Sequence, residues 1–533
     1  MTGVVAGVAA RIKQFVRGMA RGLVTRGGLW PKLGAALLLV GAGAITLSYS
    51  FDTPVVGERL DPVSPVNSGA TDPADISAHN SPTVERSPID GRKLAVANRI
   101  DTPRYSCALH TSSDAGATWS QTAVPAPAGE RVCYAPDIAF GADGTLYVSY
   151  VTLRGIGNVP NAAWLVHSTD GGKTLSEPQR VLGRLPFQVR LEADSERAGR
   201  LYLTWLQASD VGLYRFTEAG NPIRTKRSDD GGESWGASTR VSSAEHARAL
   251  APSTAVGPDG DLYVLFLDLG DDRLDYEGGH GGMGGAPYPG RWKLVLARSE
   301  DAGATWEEST VEDQLVPTER FLVFIPPFPS LAIDDDSGRV YAGFHDGRLG
   351  DADVWVWSRG ESETEWKGPT RVNDTQQRDA TEQYLPKLAV APVGRLDVVY
   401  YDRRMDPDDN VMNEVSLQSS SDQGDSFGER IRLSDKPFSS RIGFGSERDM
   451  PDLGSRLGLL STDSRAFAVW TDTRGGTFAS NKQDLARAVV AFSDPARLSK
   501  PVELLLRFGG LALALLGLLL MVRGILRPSP ASA

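Results

Sequence analysis

Arginine and aspartate recur in this chain directly after short β-rich segments. Arg99 and Asp101 come first, then the acidic run Asp268 to Asp272, then Asp346 with Arg348, Asp402 with Arg403 and Arg404, and Asp472 with Arg474. Guanidinium groups bond carboxylates in paired fashion, and a few convergent charged groups in a concave site orient a ligand. If the preceding segments lie side by side around one axis, these residues meet at one end of it. That convergence suits an anionic or polyhydroxylated ligand. The other reading makes them structural ion pairs that tie loop to loop at strand ends.

The elements that must position them are legible as a repeat. L-A-V-A-N-R-I begins at Leu94, L-Y-V-S-Y-V-T at Leu146, L-Y-L-T-W-L-Q at Leu201 and L-Y-V-L-F-L-D at Leu262. V-Y-A-G-F-H-D follows at Val340, L-D-V-V-Y-Y-D at Leu396 and A-F-A-V-W-T-D at Ala466. Most follow a strand and an Asp/Gly turn, as in P-S-L-A-I-D-D-D-S-G-R before Val340. A second repeat runs out of phase with the first. S-S-D-A-G-A-T-W ends at Trp119, S-T-D-G-G-K-T-L at Leu175, S-D-D-G-G-E-S-W at Trp235, S-E-D-A-G-A-T-W at Trp306 and S-S-D-Q-G-D-S-F at Phe427. A degenerate copy spans Ser358 to Trp366. In each, a carboxylate can accept backbone N–H groups across a tight turn, and a glycine supplies a positive φ.

The eight-residue pattern resembles the Asp-box of sialidases and related β-propellers. Each unit then reads as strand A, turn, strand B, loop, strand C, box turn, strand D, which is one four-stranded blade. The expected fold class is an all-β propeller flanked by N- and C-terminal transmembrane helices. Seven B-type segments point to seven blades; six with an accessory hairpin is the alternative. The last unit has no box or outer strand, and the segment before His79 is the candidate to supply that strand and close the ring. Box turns would then occupy one face, and the Arg/Asp loops the other.

The same resemblance implies a glycoside hydrolase chemistry, with an arginine cluster holding a sugar carboxylate, a Tyr-Glu pair as nucleophile and an aspartate as acid/base. Arg99, Arg190, Arg348, Arg403, Arg456 and Arg474 are the arginines available, joined by Asp101, Asp402 and Asp472 as substrate-binding residues. Tyr384 and Glu382, in T-E-Q-Y-L-P, are the candidate nucleophile pair, and Asp346 the candidate acid/base. The family's first-blade Arg-Ile-Pro is absent, since the matching place reads H-N-S-P-T-V from His79. A non-catalytic propeller that binds glycan or protein is the alternative function.

At the ends, residues 1–32 carry six basic residues and no acidic one, and the apolar run 33–49 follows as an anchor or a signal peptide with Ala42-Gly43-Ala44 as cleavage site. Residues 50–78 read as a Pro/Ser/Asp/Gly linker, 79–495 as the propeller, 502–522 as a second spanning helix and 523–533 as a cytoplasmic tail. This places the propeller outside the plasma membrane. Cys107 and Cys133 fall close together in such a fold and are expected to pair in an oxidising exterior, two buried thiols being the alternative.

The net charge of -11 and the lack of basic clusters beyond the N-terminal segment argue against nucleic acid. The six histidines have no metal-ligand spacing, so neither metal nor cofactor is expected. The acidic run Asp268 to Tyr276 reads as a solvated loop rather than a calcium site. The glycine-rich insert Gly278 to Gly290 reads as a flap, and Arg320 to Pro329 as packing between blades.

Overall fold

A computed structural model of the chain describes residues 29–50, 56–130, 133–155, 159–210, 218–273, 287–318, 328–443, 453–493 and 500–526. Residues 56–492 form one compact unit, and the two apolar ends form another. The glycine-rich insert up to residue 286, the insert 320–327 and residues 1–28 lie outside the described residues, as does the end of the acidic run.

Seven antiparallel sheets follow one another along the chain, so the propeller has seven blades. The inner strands are His79–Arg86, Cys133–Phe140, Pro186–Ala193, Ala249–Val256, Ser330–Ile333, Gln383–Val390 and Gly458–Ser461. The B strands are the apolar segments of the repeat. Leu262–Asp268 is buried at every position because each blade is sandwiched between two others, so this strand loses the usual apolar/polar alternation. Five inner strands carry a bulge at the same place. Ser81, Ala135, Gln188, Ala251 and Leu385 all take φ between 48° and 56°, and the strand register shifts there.

The seventh blade takes its outer strand from the start of the unit. Gly57–Arg59 pairs with Asp484–Phe492, Gly57 lying opposite Phe492, and Ser64–Pro65 pairs further along the same strand. The stretch 50–78, read from composition as a linker, is therefore part of the propeller from residue 56 onward. Its turns wrap a buried lysine: Lys482 Nζ donates to the carbonyls of Gly69, Ala70 and Asp72 at 2.9, 3.1 and 2.9 Å. A three-residue strand and a turn around a distant lysine leave no periodic signature.

The five eight-residue turns share one hydrogen-bond set. At Ser299 to Trp306, the Ser299 hydroxyl donates to Asp301 at 2.8 Å and accepts the Gly303 N–H at 2.8 Å, while Asp301 accepts the Thr305 N–H at 2.8 Å and hydroxyl at 2.6 Å. In the degenerate copy Glu363 takes over, accepting the Gly360 N–H at 2.8 Å. Cys107 and Cys133 form a disulfide, Cα to Cα 5.5 Å, linking the first blade to the second.

Two helices make up the other unit, α1 over Leu29–Ser50 and α2 over Lys500–Leu526. Among the described residues only Leu504–Arg523 is long and apolar enough to cross a membrane, while the apolar part of α1, Lys32–Thr46, is shorter. The expectation of two spanning helices is thus met in length and composition by one, because Lys32 and the polar residues from Thr46 onward cut the first run short.

Candidate functional site

A strand has period two, so the bulge in the five bulged inner strands sets which residues face the axis. The first polar position after it places Thr83, Asp137, Arg190, Ser253 and Lys387 in the central cavity, and Ser330 at the start of the fifth inner strand and Arg456 just before the seventh complete one residue per blade. Two residues further in, Glu85 and Glu192 form a second tier. The cavity holds about 100 Å³, room for only a few waters.

Asp137 is the hub of the first tier. It accepts the Thr83 hydroxyl at 3.0 Å, the Leu191 N–H at 3.1 Å and Arg456 Nη1 at 3.1 Å, and it lies 3.6 Å from Arg190 Nη1. Arg456 also donates to the Pro136 carbonyl at 2.8 Å. Arg190 packs its guanidinium 3.7 Å from the Phe328 ring centre. Burial pushes the Arg190 guanidinium down to about 9 and lowers that of Arg456 too. Arg99 sits near enough to Arg456 to disfavour its charge further. Its Nη1 donates to the Tyr134 hydroxyl at 2.8 Å, its Nε lies 3.0 Å from Asp101, and Tyr134 meets Tyr105 edge to face at 5.6 Å. In the second tier, burial pushes the Glu85 carboxyl up to about 7 and holds that of Glu192 well above the usual carboxylate range. Lys387 is lowered, also by burial.

Of the residues singled out from the sequence, Arg99, Asp101, Arg190 and Arg456 are brought together here. The others are placed elsewhere. Asp346 is bound by the Arg348 guanidinium at 2.6 Å, and Arg348 reaches Glu312 at 3.1 Å and lies over Trp355. The same Asp-x-Arg clamp recurs at Asp402 with Arg404, 2.7 Å, and at Asp472 with Arg474, 2.6 Å. In each, the aspartate also accepts the backbone N–H of the arginine, so these pairs stabilise their own turns.

Tyr384 is 2 % exposed. Its hydroxyl donates to Asn413 at 2.8 Å and meets Arg403 Nη2 at 3.4 Å, and burial raises its pKa. Glu382 is also buried and accepts the Ala352 N–H at 2.6 Å. Asp472 and Arg474 line a separate cleft of about 760 Å³ between the sixth and seventh blades, beside Phe438 and Met412. Sequence reading passed over Asp137 and Tyr134. The signal was present: S-P-T at Ser81, A-P-D at Ala135, A-P-S at Ala251 and L-P-K at Leu385 each place a polar residue after a bulge and a proline.

No family model matches the chain, and no curated protein does. Solved structures that align with it include a protein of unknown function from Dyadobacter fermentans, at 13 % identity over 82 % of this chain and 99 % of that one, with a TM-score of 0.45. The Hadza microbial sialidase Hz136 aligns at 12 % identity over 77 % of this chain and 65 % of its own, TM-score 0.39. The GH93 α-L-arabinofuranosidase of Fusarium graminearum aligns at 13 % over 82 % and 98 %, TM-score 0.41. Likenesses at such identities and scores carry no functional argument.

Proposed function

We propose that this chain is a membrane-anchored, extracytoplasmic propeller that binds a carboxylate-bearing glycan at the mouth of its channel. The observation that carries this reading is the gathering of Arg99, Arg190 and Arg456 around Asp137 and Asp101. The three guanidiniums lie beside the aromatic faces of Tyr134, Tyr105 and Phe328. A sugar acid offers the matching groups, a carboxylate for the arginines and an apolar ring face for the aromatics. The disulfide suits an oxidising exterior, and Leu504–Arg523 supplies an anchor.

Glycoside hydrolysis through Tyr384, Glu382 and Asp346 is the second reading. It has less support, because all three are buried and bonded to protein groups. Calorimetric titration of the full chain in detergent with the methyl glycosides of N-acetylneuraminic acid, glucuronic acid and glucose tests the first. The acids are expected to bind at least about tenfold more tightly than glucose, and Arg456→Gln to remove that preference. Arg348→Ala is expected to leave it unchanged. Equal binding of acid and neutral sugars, or none, eliminates the reading. Hydrolysis of a fluorogenic sialoside that is abolished by Tyr384→Phe would establish the second instead.

A further inference from the structure

Helices α1 and α2 run antiparallel and touch through glycine. A side-chain carbon on Gly34 would lie 2.6 Å from the Gly517 carbonyl oxygen, and one on Gly517 would lie 2.5 Å from that of Gly34. Seven residues along, one on Gly510 would lie 2.8 Å from the Gly41 carbonyl oxygen, and one on Gly41 would collide with Gly510 in return. These four glycines are the only buried residues among the described side chains of the two helices. Neighbouring leucines such as Leu39, Leu505, Leu515 and Leu519 are exposed. Backbones approach this closely only where no side chain intervenes, and in lipid such contact replaces the hydrophobic effect as the source of helix association.

The helices belong to the two chain ends that close the ring. Six residues lie between Ser50 at the end of α1 and Gly57, and seven between Phe492 and Lys500 at the start of α2. Gly57 and Phe492 are themselves paired across the seventh blade. The closing strand has three residues, and its far side is held by Ser64–Pro65 and by the Val66 N–H bonded to the Leu485 carbonyl at 2.8 Å. A strand so short has little stability of its own.

We propose that α1 and α2 form a glycine-faced clasp that holds the closing strand of the propeller in place from its N-terminal side. Tethering at both ends raises the effective concentration of the strand beside its partner, so it reopens less often. The clasp also gives α1 a lasting role in the mature chain, which a cleaved signal peptide would not have. This inference is independent of what the channel mouth binds.

Hydrogen exchange on the full chain in lipid nanodiscs tests it. Gly41→Leu with Gly510→Leu is expected to speed exchange of residues 57–60 about tenfold while leaving Leu262–Asp268 as in the parent. Gly43→Leu with Gly509→Leu is the matched control, since neither glycine has a neighbour within 4 Å of an added carbon, and it is expected to change nothing. The native cysteines are paired, so Leu38→Cys with Ala514→Cys offers the only free thiols for a bismaleimide. Joining of the two helices by that reagent in the otherwise unaltered chain is expected. Failure to join, equal exchange in the glycine variant and the parent, equal acceleration by both leucine pairs, or a mature protein whose mass lacks α1 would each overturn the proposal.

Discussion

Glu85 shows how a single residue in the channel couples to pH. Its carboxyl has little solvent and faces the charges of Asp137 and Glu192, with only Lys387 opposing them. The folded value of about 7 lies above the ordinary 4.5, so the folded state holds a proton that the unfolded chain releases. The associated stability is complete below pH 4.5 and is lost as pH rises through 7. By about 1.4 kcal/mol per unit, charging Glu85 costs the fold on the order of 3 kcal/mol at pH 8. Glu85→Gln is expected to raise the melting temperature at pH 8 and leave it unchanged at pH 4.5. Thermal unfolding followed by tryptophan fluorescence at the two values checks this, and a variant that melts below the parent at pH 8 would contradict it. Asp137 is paired on all sides, with Thr83, the Leu191 N–H, Arg190 and Arg456 gathered around it. The types of these residues are plain in the sequence, but their meeting depends on the curvature of the ring.

At the scale of the element, the repeated turn explains itself. Its aspartate accepts backbone and hydroxyl donors, and those bonds hold the carboxyls of Asp114, Asp230 and Asp301 down at about 2. A depressed carboxyl adds stability above its unfolded value, near 3.8, and loses it as pH falls through 2. Asp301→Asn is therefore expected to lower the melting temperature at pH 6, and the gap to the parent should close by pH 2. A gap that stays constant across the series would show that the turn does not depend on the charge. Ala115, Ala302 and Gln423 also take positive φ in these turns, where the sequence signalled only the following glycine. The neighbouring hydrogen bonds hold them there. Glu363 in the fifth blade does the work of the missing aspartate from a shifted position, and the Gly360 N–H is the first cause of its depressed carboxyl.

On the scale of the whole molecule, the ring depends on two joints of different kinds. The Cys107–Cys133 bridge ties the first two blades, and a loop of its length contributes about 3 kcal/mol. The second joint is the closing strand. Deleting residues 56–66 would strip the outer edge from Asp484–Phe492, at about 1 kcal/mol per ladder hydrogen bond, and would expose that edge to other chains. A lower melting temperature together with dimers or larger species in light scattering is expected. A monomer as stable as the parent would show that the strand contributes nothing to closure. What the sequence determined alone is what local rules control: the apolar B strands, the polar turns between them, their recurrence seven times and the apolar ends. Tertiary structure decided the rest. Tyr384 and Asp346 look reactive as residue types, and only the tertiary structure shows that both are buried, with Asn413 and Arg348 as partners. Asp137 and Tyr134 look ordinary, and only the closing of the ring brought them beside three arginines. Distances between residues far apart in the chain are set by blade geometry and register, which no short stretch of sequence encodes.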